Sequence, residues 1–195
     1  MPFAYHRIRL GAAHSLNAPA PRTMILLDPD LDPDSAARAQ KISAGALARF
    51  LAQAQSAIRL RGEVSVLLTS DRAIRRLNHR YRGKNKATDV LSFPADTTVQ
   101  KQEKGDLVIS VDAARRQCAE QGHGLAIELK VLILHGLLHL AGYDHENDNG
   151  RMARRELALR ARLGLAQGLI ERTTPPTLSP TRRTDGATRN RSRSR

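Results

Sequence analysis

Three histidines in the second half of the chain have the spacing of a metal site. His135 and His139 are four residues apart, so on a helix their imidazoles project from one face, about 6 Å apart along the axis. Gly142 can end that helix in a left-handed conformation, and the reversed chain can bring His145 back over the same face. Three neutral imidazoles without a fourth protein ligand describe a zinc site with an open coordination position, which is typical of catalysis.

The residues around these histidines are almost all apolar, which allows a plainer interpretation. Residues 131–140 read VLILHGLLHL and would form a buried core helix whether or not a metal is bound. In that interpretation the histidines are satisfied by hydrogen bonds inside the core. The remaining histidines are isolated, and we interpret them as surface or loop residues: His6, His14, His79 and His123.

The spacing His-x3-His-x2-Gly-x2-His also occurs in the metzincin proteases. Those enzymes carry a glutamate directly after the first histidine, where it acts as the general base. In this chain that position is Gly136, so a peptidase built this way would lack the group that takes the proton from the attacking water. A zinc peptidase is therefore a disfavoured interpretation.

Composition limits the class of protein. The length of 195 residues predicts one domain with tails, and 41% hydrophobic residues with only 3% aromatic residues predict an aliphatic core. The single Cys118 excludes an intramolecular disulfide and favours a reducing compartment. No apolar run approaches the roughly 18 residues that span a bilayer, so we expect no membrane partner.

Positive charge is spread over the whole chain. Of the net charge of +13, residues 171–195 contribute +5 and residues 1–22 contribute +3, which leaves +5 on the part between them. A basic body with a basic tail suits a polyanionic partner, although such a tail also serves as a plain solubilising segment. We predict a catalytic metal-binding domain over residues 23–170, with a flexible extension before it and a disordered Arg-rich tail after it.

The segments that must position the histidines alternate between short strands and helices, which indicates a single α+β or α/β domain. Apolar and β-branched runs predict four strands, at residues 23–27, 63–69, 89–93 and 105–110. Capping residues and apolar spacing predict about five helices, at residues 35–57, 71–78, 112–122, 126–141 and 146–163. In the last helix, apolar spacing marks an inward face at Met152, Leu157 and Leu159.

Two further stretches, together with the histidines, resemble the YbeY family of metal-dependent endoribonucleases, which act in ribosomal RNA maturation. Residues 77–84 (LNHRYRGK) followed by residues 88–94 (TDVLSFP) are similar to the loop and strand of that family's signature. Residues 105–109 (GDLVI) resemble the strand that precedes its metal helix. The three motifs occur in the family's order, and the resemblance covers about residues 23–165.

The resemblance implies a fold, a cofactor and an activity. The fold is a four-stranded mixed sheet packed against helices, with the metal site on a central helix and the turn after it. One zinc ion per chain is held by His135, His139 and His145, and the family's functional arginine corresponds to Arg82. The implied activity is a single-strand-specific endoribonuclease of small-subunit rRNA 3′-end maturation and ribosome quality control. The implied partners are ribosomal RNA and the ribosome or small-subunit proteins, in the cytoplasm, and no DNA specificity is expected.

Residues in the polar loop predicted at 82–88 suit a phosphodiester substrate. Arg82 is permanently charged and offers a fork that matches two phosphate oxygens. We expect Lys84 and Lys86 to hold flanking phosphates without reading sequence, the alternative being an exposed basic turn. Asp144 is a candidate to accept a hydrogen bond from a liganding imidazole, or else caps the next helix or faces solvent.

The nucleophile and one competing function stay open at this point. Zinc lowers the pKa of a bound water to about 7, so hydroxide is available at neutral pH, but the metal can instead activate the RNA 2′-hydroxyl. Nickel or copper also suits three imidazoles. The competing function is a zinc-stabilised, ribosome-associated RNA-binding factor with little catalysis of its own, whose affinity would fall steeply with salt.

Overall fold

The computed structural model describes residues 24–95, 103–145 and 148–165. Its strands are β1 (Met24–Leu27), β2 (Glu63–Thr69), β3 (Val90–Pro94) and β4 (Glu103–Ser110). Its helices are α1 (Pro33–Lys41), α2 (Ala44–Ile58), α3 (Asp71–Arg82), α4 (Val111–Gln121), α5 (Leu125–Leu140) and α6 (Arg151–Arg162). The two predicted tails lie outside the described residues, so the domain limits stay predictions.

The four strands form one mixed sheet in the order β1-β2-β4-β3. Strands β1, β2 and β4 are parallel, whereas β3 runs antiparallel to β4 and occupies an edge of the sheet. The predicted single α+β domain with a four-stranded mixed sheet is therefore confirmed. Strand β4 begins two residues before the predicted start, at a register irregularity where Val64 pairs with Gly105.

Both faces of the sheet are covered, because alternate residues of each strand point to opposite sides. The larger core lies between one face of the sheet and helices α2, α5 and α6, and it includes Val66, Leu107 and Ile109 of the strands. On the other face, Leu67 and Val108 pack against α3. Among the described residues, α3 is the helix that covers this second face.

The predicted helix over residues 35–57 is wrong in one respect, because the chain forms two helices there. Ile42 adopts an extended conformation, and the Ser43 side chain then accepts a hydrogen bond from the backbone N–H of Ala46 and caps α2. The apolar spacing continues across this break and so conceals it. The described chain consequently has six helices, where about five were predicted.

Helix α3 continues one turn beyond the predicted end at Asn78, which places Arg82 on the helix and not in the loop. Gly83 ends the helix with a φ of +68°. The buried Asn78 side chain donates to the carbonyl of Lys86 at 2.8 Å, and Arg75 Nε donates to Asn85 Oδ1 at 2.9 Å. The loop after α3 is therefore held against the helix by side-chain hydrogen bonds.

Helix α5 is apolar around most of its circumference because it is the central helix of the larger core. It packs against α2, α4 and α6 and against strands β3 and β4. Among the described residues, no single helix has the length and apolar composition to span a membrane, and α4 and α5 meet that test only as a pair bent by 113°.

We predict that Gly105→Ala strongly destabilises the fold. A Cβ at this position would lie 2.3 Å from the carbonyl oxygen of Phe93 and 3.1 Å from Pro94 Cα, and neither backbone atom can move without separating β3 from β4. We expect the free energy of unfolding to fall by about 3 kcal/mol or more. The control Gly122→Ala has a φ of +69° but open surroundings and should cost about 1 kcal/mol. Equal losses in urea unfolding would contradict this packing.

Candidate metal centre

The structure brings the three predicted histidines together at the end of α5. His135 and His139 lie on the last turns of the helix, and Gly142 follows with a φ of +88°. Tyr143 N–H donates back to the carbonyl of Leu138 at 3.0 Å, which reverses the chain. One ring nitrogen from each of His135, His139 and His145 lies within 4.8 Å of the others.

Hydrogen bonds on the far side of two rings determine which nitrogen carries the proton. His139 Nδ1 lies 3.0 Å from the carbonyl oxygen of Tyr143, which only accepts, so Nδ1 carries the hydrogen and donates it. His135 Nδ1 donates in the same way to Glu156 Oε2 at 3.0 Å. In the neutral rings, both Nε2 atoms therefore present bare lone pairs.

The two Nε2 atoms face each other at 3.2 Å. Two lone pairs at this distance repel unless a cation lies between them. A tetrahedral zinc with Zn–N bonds of about 2.0–2.1 Å places two ligand nitrogens roughly 3.3 Å apart. The donor set and its spacing therefore fit a divalent metal ion with imidazole ligands.

The environment of His139 keeps its imidazole ready to bind a metal. Burial, together with charge on His135, His145 and Arg82, lowers the pKa of His139 to about 4, and the hydrogen bond to the Tyr143 carbonyl opposes this lowering only in part. At neutral pH the ring is therefore uncharged, as a metal ligand must be. The positive charge of Arg82, at the end of α3, is the smallest of the causes that lower the pKa of His139.

The buried carboxylate of Glu156 contacts the far side of the His135 ring, and the sequence did not predict it. Glu156 of α6 accepts from His135 with one oxygen and from the Arg160 guanidinium with the other. Burial would raise the pKa of Glu156, but the hydrogen bond and charge of His135 and the charge of Arg160 outweigh it and hold the pKa below its ordinary value. The ionised Glu156 fixes the orientation of the His135 ring.

Helix α6 buries a different face from the predicted one, and Glu156 lies on that face. Leu157 was predicted to point inward, but the structure leaves it 37% exposed. Glu156 and Arg160 are buried instead, at 9% and 4% exposure, on the face shared with Met152 and Leu159. A Glu and an Arg four residues apart, in phase with apolar residues, were the available signal.

The remaining predicted site residues lie on exposed segments. Arg82 ends α3, and Lys84 and Lys86 follow it on the exposed loop. Asp144 is exposed in the turn before His145. The Nδ1 atoms of His135 and His139 already donate to Glu156 and to the Tyr143 carbonyl. The prediction for Asp144 therefore concerns the remaining ring, that of His145.

Gly136 explains why this centre cannot work like that of a metzincin. The residue faces the sheet, and a Cβ there would lie 2.8 Å from Leu107 Cδ2 and 3.3 Å from Val90 Cγ2. Ser92 Oγ donates to the Gly136 carbonyl at 3.2 Å, which ties the helix to β3. A glutamate at this position would point into the core and away from the metal, so the peptidase mechanism has no general base here.

The fold and the centre together define a single-domain α+β protein with a three-histidine cluster that could hold a metal ion. In the part of the chain that the structure describes, the cluster contains no fourth His, Cys, Asp or Glu ligand, which leaves room for a water or substrate oxygen. The carboxylate and the carbonyl behind the imidazoles are the supports that catalytic metal sites use.

Comparison with known proteins identifies the family. The family model described as Endoribonuclease YbeY matches residues 32–164, and the chain belongs to that family. An Endoribonuclease YbeY of Koribacter versatilis is 52% identical over 135 residues, covering 69% of this chain and 87% of the relative. Another, from Solibacter usitatus, is 47% identical over 127 residues, covering 65% and 84%. A solution structure of a Thermotoga maritima protein is 23% identical, covers 78% of this chain and 99% of that one, and has a TM-score of 0.44.

We predict that His139→Ala abolishes tight stoichiometric metal binding. The substitution removes one of the two Nε2 ligands that face each other at 3.2 Å and leaves too few donors for a stable site. Zinc content after dialysis should fall from one ion per chain to a trace. The control is His79→Ala, which removes an exposed histidine on α3. Full zinc content in the His139 variant would remove it from the ligand set.

We predict that Glu156→Gln lowers zinc affinity by about 10- to 100-fold. The carboxylate accepts from His135 and from Arg160, whereas an amide has only one oxygen and must turn its NH2 group toward one of these donors. Competition with a chelator at pH 7 measures the loss. Glu120→Gln, an exposed position on α4, is the matched control, and equal affinities in the two variants would contradict a supporting role for Glu156.

Proposed function

We propose that this endoribonuclease is zinc-dependent and cleaves single-stranded RNA in ribosomal RNA processing, at the 3′ end of the small-subunit rRNA and in ribosome quality control. The observation that carries the proposal is the pair of bare Nε2 atoms of His135 and His139, which face each other at 3.2 Å with His145 beside them. Membership of the YbeY endoribonuclease family supports the RNA substrate. Three imidazole nitrogens favour zinc over magnesium or calcium, which prefer oxygen ligands.

Each part of the centre has a separate task in this function. His135, His139 and His145 would hold the metal, which supplies Lewis-acid stabilisation and lowers the pKa of a bound water. Glu156 holds the ring of His135 in the orientation that ligation needs. Asp144 is proposed to support the ring of His145 from the turn before it.

Arg82 is proposed to stabilise the charge on the non-bridging oxygens of the scissile phosphate. Its guanidinium stays charged at every working pH and can donate two parallel hydrogen bonds to a phosphate. The charge of Arg82 is among the causes that lower the pKa of His139, which supports a position near the centre. Lys84 and Lys86 lie on the exposed loop that Asn78 anchors, and they are proposed to bind phosphates on either side of the cleaved linkage.

The proposed partners follow from charge and from the absence of base-reading elements at the loop. Phosphate contacts by arginine and lysine position a strand without selecting its sequence, so site choice would come from the ribosome or small-subunit proteins. Single-strand preference and discrimination against DNA would rest on access to unpaired nucleotides and on the 2′-hydroxyl. A cytoplasmic location, where ribosomes assemble, completes the proposal.

We predict that Arg82→Glu reduces RNA cleavage by about 10²- to 10³-fold, as the loss of a charge-stabilising donor does elsewhere. Zinc content should be unchanged, because Arg82 is not among the clustered ligands. The control is Arg49→Glu, which makes the same charge change at an exposed position on α2. Turnover is measured on a single-stranded RNA with zinc-loaded and chelator-treated protein.

The same assay separates the proposed function from its competitors. Cleavage that requires zinc supports the endoribonuclease, whereas binding without cleavage by zinc-loaded protein would leave only an RNA-binding factor. The product ends identify the nucleophile: a 2′,3′-cyclic phosphate means attack by the 2′-hydroxyl, and a linear phosphate formed without a cyclic intermediate means attack by water.

A further inference from the structure

The outward side of α3 is covered by basic side chains. The inward side carries Ile74 and Leu77, which pack on the sheet, and Asn78, which anchors the following loop. The six exposed residues of the helix are all arginine or histidine, and we call them the α3 basic face: Arg72, Arg75, Arg76, His79, Arg80 and Arg82.

The charges of the α3 basic face are not neutralised by the fold. The one acid of the helix, Asp71, lies at its first position and pairs with Arg116 of α4 at 2.8 Å. Within the described ranges, Arg72 and Arg76 form no ion pair, and Arg80 lies over the ring of Tyr81. The guanidinium groups therefore remain available to an external anion.

The spacing of these arginines lowers the stability of α3, and no contact within the described fold compensates for this. Arg72, Arg76 and Arg80 are each four residues apart, and like charges at this spacing destabilise a helix. The inward residues alone account for the packing of α3 on the sheet. A row of unpaired positive charges of this kind is what a polyanionic ligand would stabilise.

The α3 basic face leads toward the metal centre. The helix ends at Arg82, and Tyr81 packs edge-on against Phe93 of β3 at 5.3 Å between ring centroids. On the opposite side of β3, Ser92 donates to the Gly136 carbonyl of α5. Within the described part of the chain, β3 therefore lies between the end of α3 and the helix that carries the histidines.

We propose that the α3 basic face binds the backbone phosphates of a single-stranded RNA outside the cleaved linkage and guides the strand past the β3 edge to the metal centre. From Arg72 to Arg80 the row is about 12 Å long, which suits the repeating phosphates of one strand. A protein partner would require an apolar centre to the surface, and the exposed residues of α3 include none. The inference rests on the proposed function, since it names how that substrate is held.

The test compares two triple variants that remove equal charge. The first is Arg72→Gln with Arg76→Gln and Arg80→Gln. The control replaces three exposed arginines on and after α2, Arg49, Arg59 and Arg61, by glutamine. A 20-nucleotide 2′-O-methyl RNA, which cannot be cleaved by attack of its own 2′-hydroxyl, is titrated with zinc-loaded full-length chain at several salt concentrations, and gel electrophoresis checks that the RNA stays intact against attack by water.

The expected result is a change in salt dependence confined to the α3 triple variant. The slope of log K against log salt is negative, and each phosphate contact on a single strand contributes roughly −0.7 to it. Losing three contacts should therefore make the slope shallower by about 2. Affinity should fall at least about tenfold at low salt, and kcat/KM on a long RNA should fall in parallel. The corresponding lysine triple variant retains the charges and should keep the slope, which separates a charge effect from misfolding.

The outcomes distinguish this inference from the proposed function. If the parent chain neither binds nor cleaves RNA, the proposed function itself fails. If the parent chain is active and the α3 and control variants bind with the same slope, the inference is overturned and the α3 basic face belongs to an acidic protein partner or to none. A slope lost in both glutamine and lysine variants would also overturn it, because charge would then not be the cause.

Discussion

The candidate centre depends on one constraint: the Nε2 lone pairs of His135 and His139 face each other at 3.2 Å, and a cation between them would relieve their repulsion. Neither ring can relieve the repulsion by turning, because Tyr143 holds one Nδ1 and Glu156 holds the other. The supports come from different places, one from the turn after α5 and one from α6. Formation of the turn after α5 therefore orients His139, and packing of α6 on the core orients His135.

The buried pair of Glu156 and Arg160 is best explained by this task. Burying two charges costs desolvation energy that their attraction seldom exceeds, and apolar residues of similar volume often stabilise a core equally well. A carboxylate is nonetheless needed behind His135, since it favours the tautomer that leaves Nε2 free for a metal. His135 and Arg160 together outweigh the effect of burial and hold the pKa of Glu156 below its ordinary value, so the carboxylate stays ionised. The Glu156–Arg160 pair thus contributes little to the stability of the core, and its role is to orient the ring of His135.

What the sequence alone predicted depends on how local each feature is. The histidine cluster was predictable because one helical turn and one glycine-ended reversal set its geometry, all within eleven residues. The strands were predictable from their apolar runs. Glu156 was not, because its partner lies 21 residues earlier and the contact exists only once α6 packs on α5. The break at Ile42 was missed because apolar spacing continues through it. The last turn of α3 was missed because its residues are mostly polar, and the helix ends only at Gly83.

The close contact between α5 and the sheet determines how this centre must handle charge. Gly136 lets the helix approach Leu107, and the same contact excludes a catalytic glutamate beside the first ligand. A phosphodiester reaction develops negative charge on oxygen, so the group most needed is a fixed cation and not a second carboxylate. In the proposed chemistry that cation is Arg82, at the end of α3 on the opposite face of the sheet, where the neighbouring Tyr81 packs on Phe93 of the edge strand β3. Among the described strands β3 has one neighbour, β4, and its position at the edge of that sheet places the end of α3 and the histidine helix α5 on either side of a single strand.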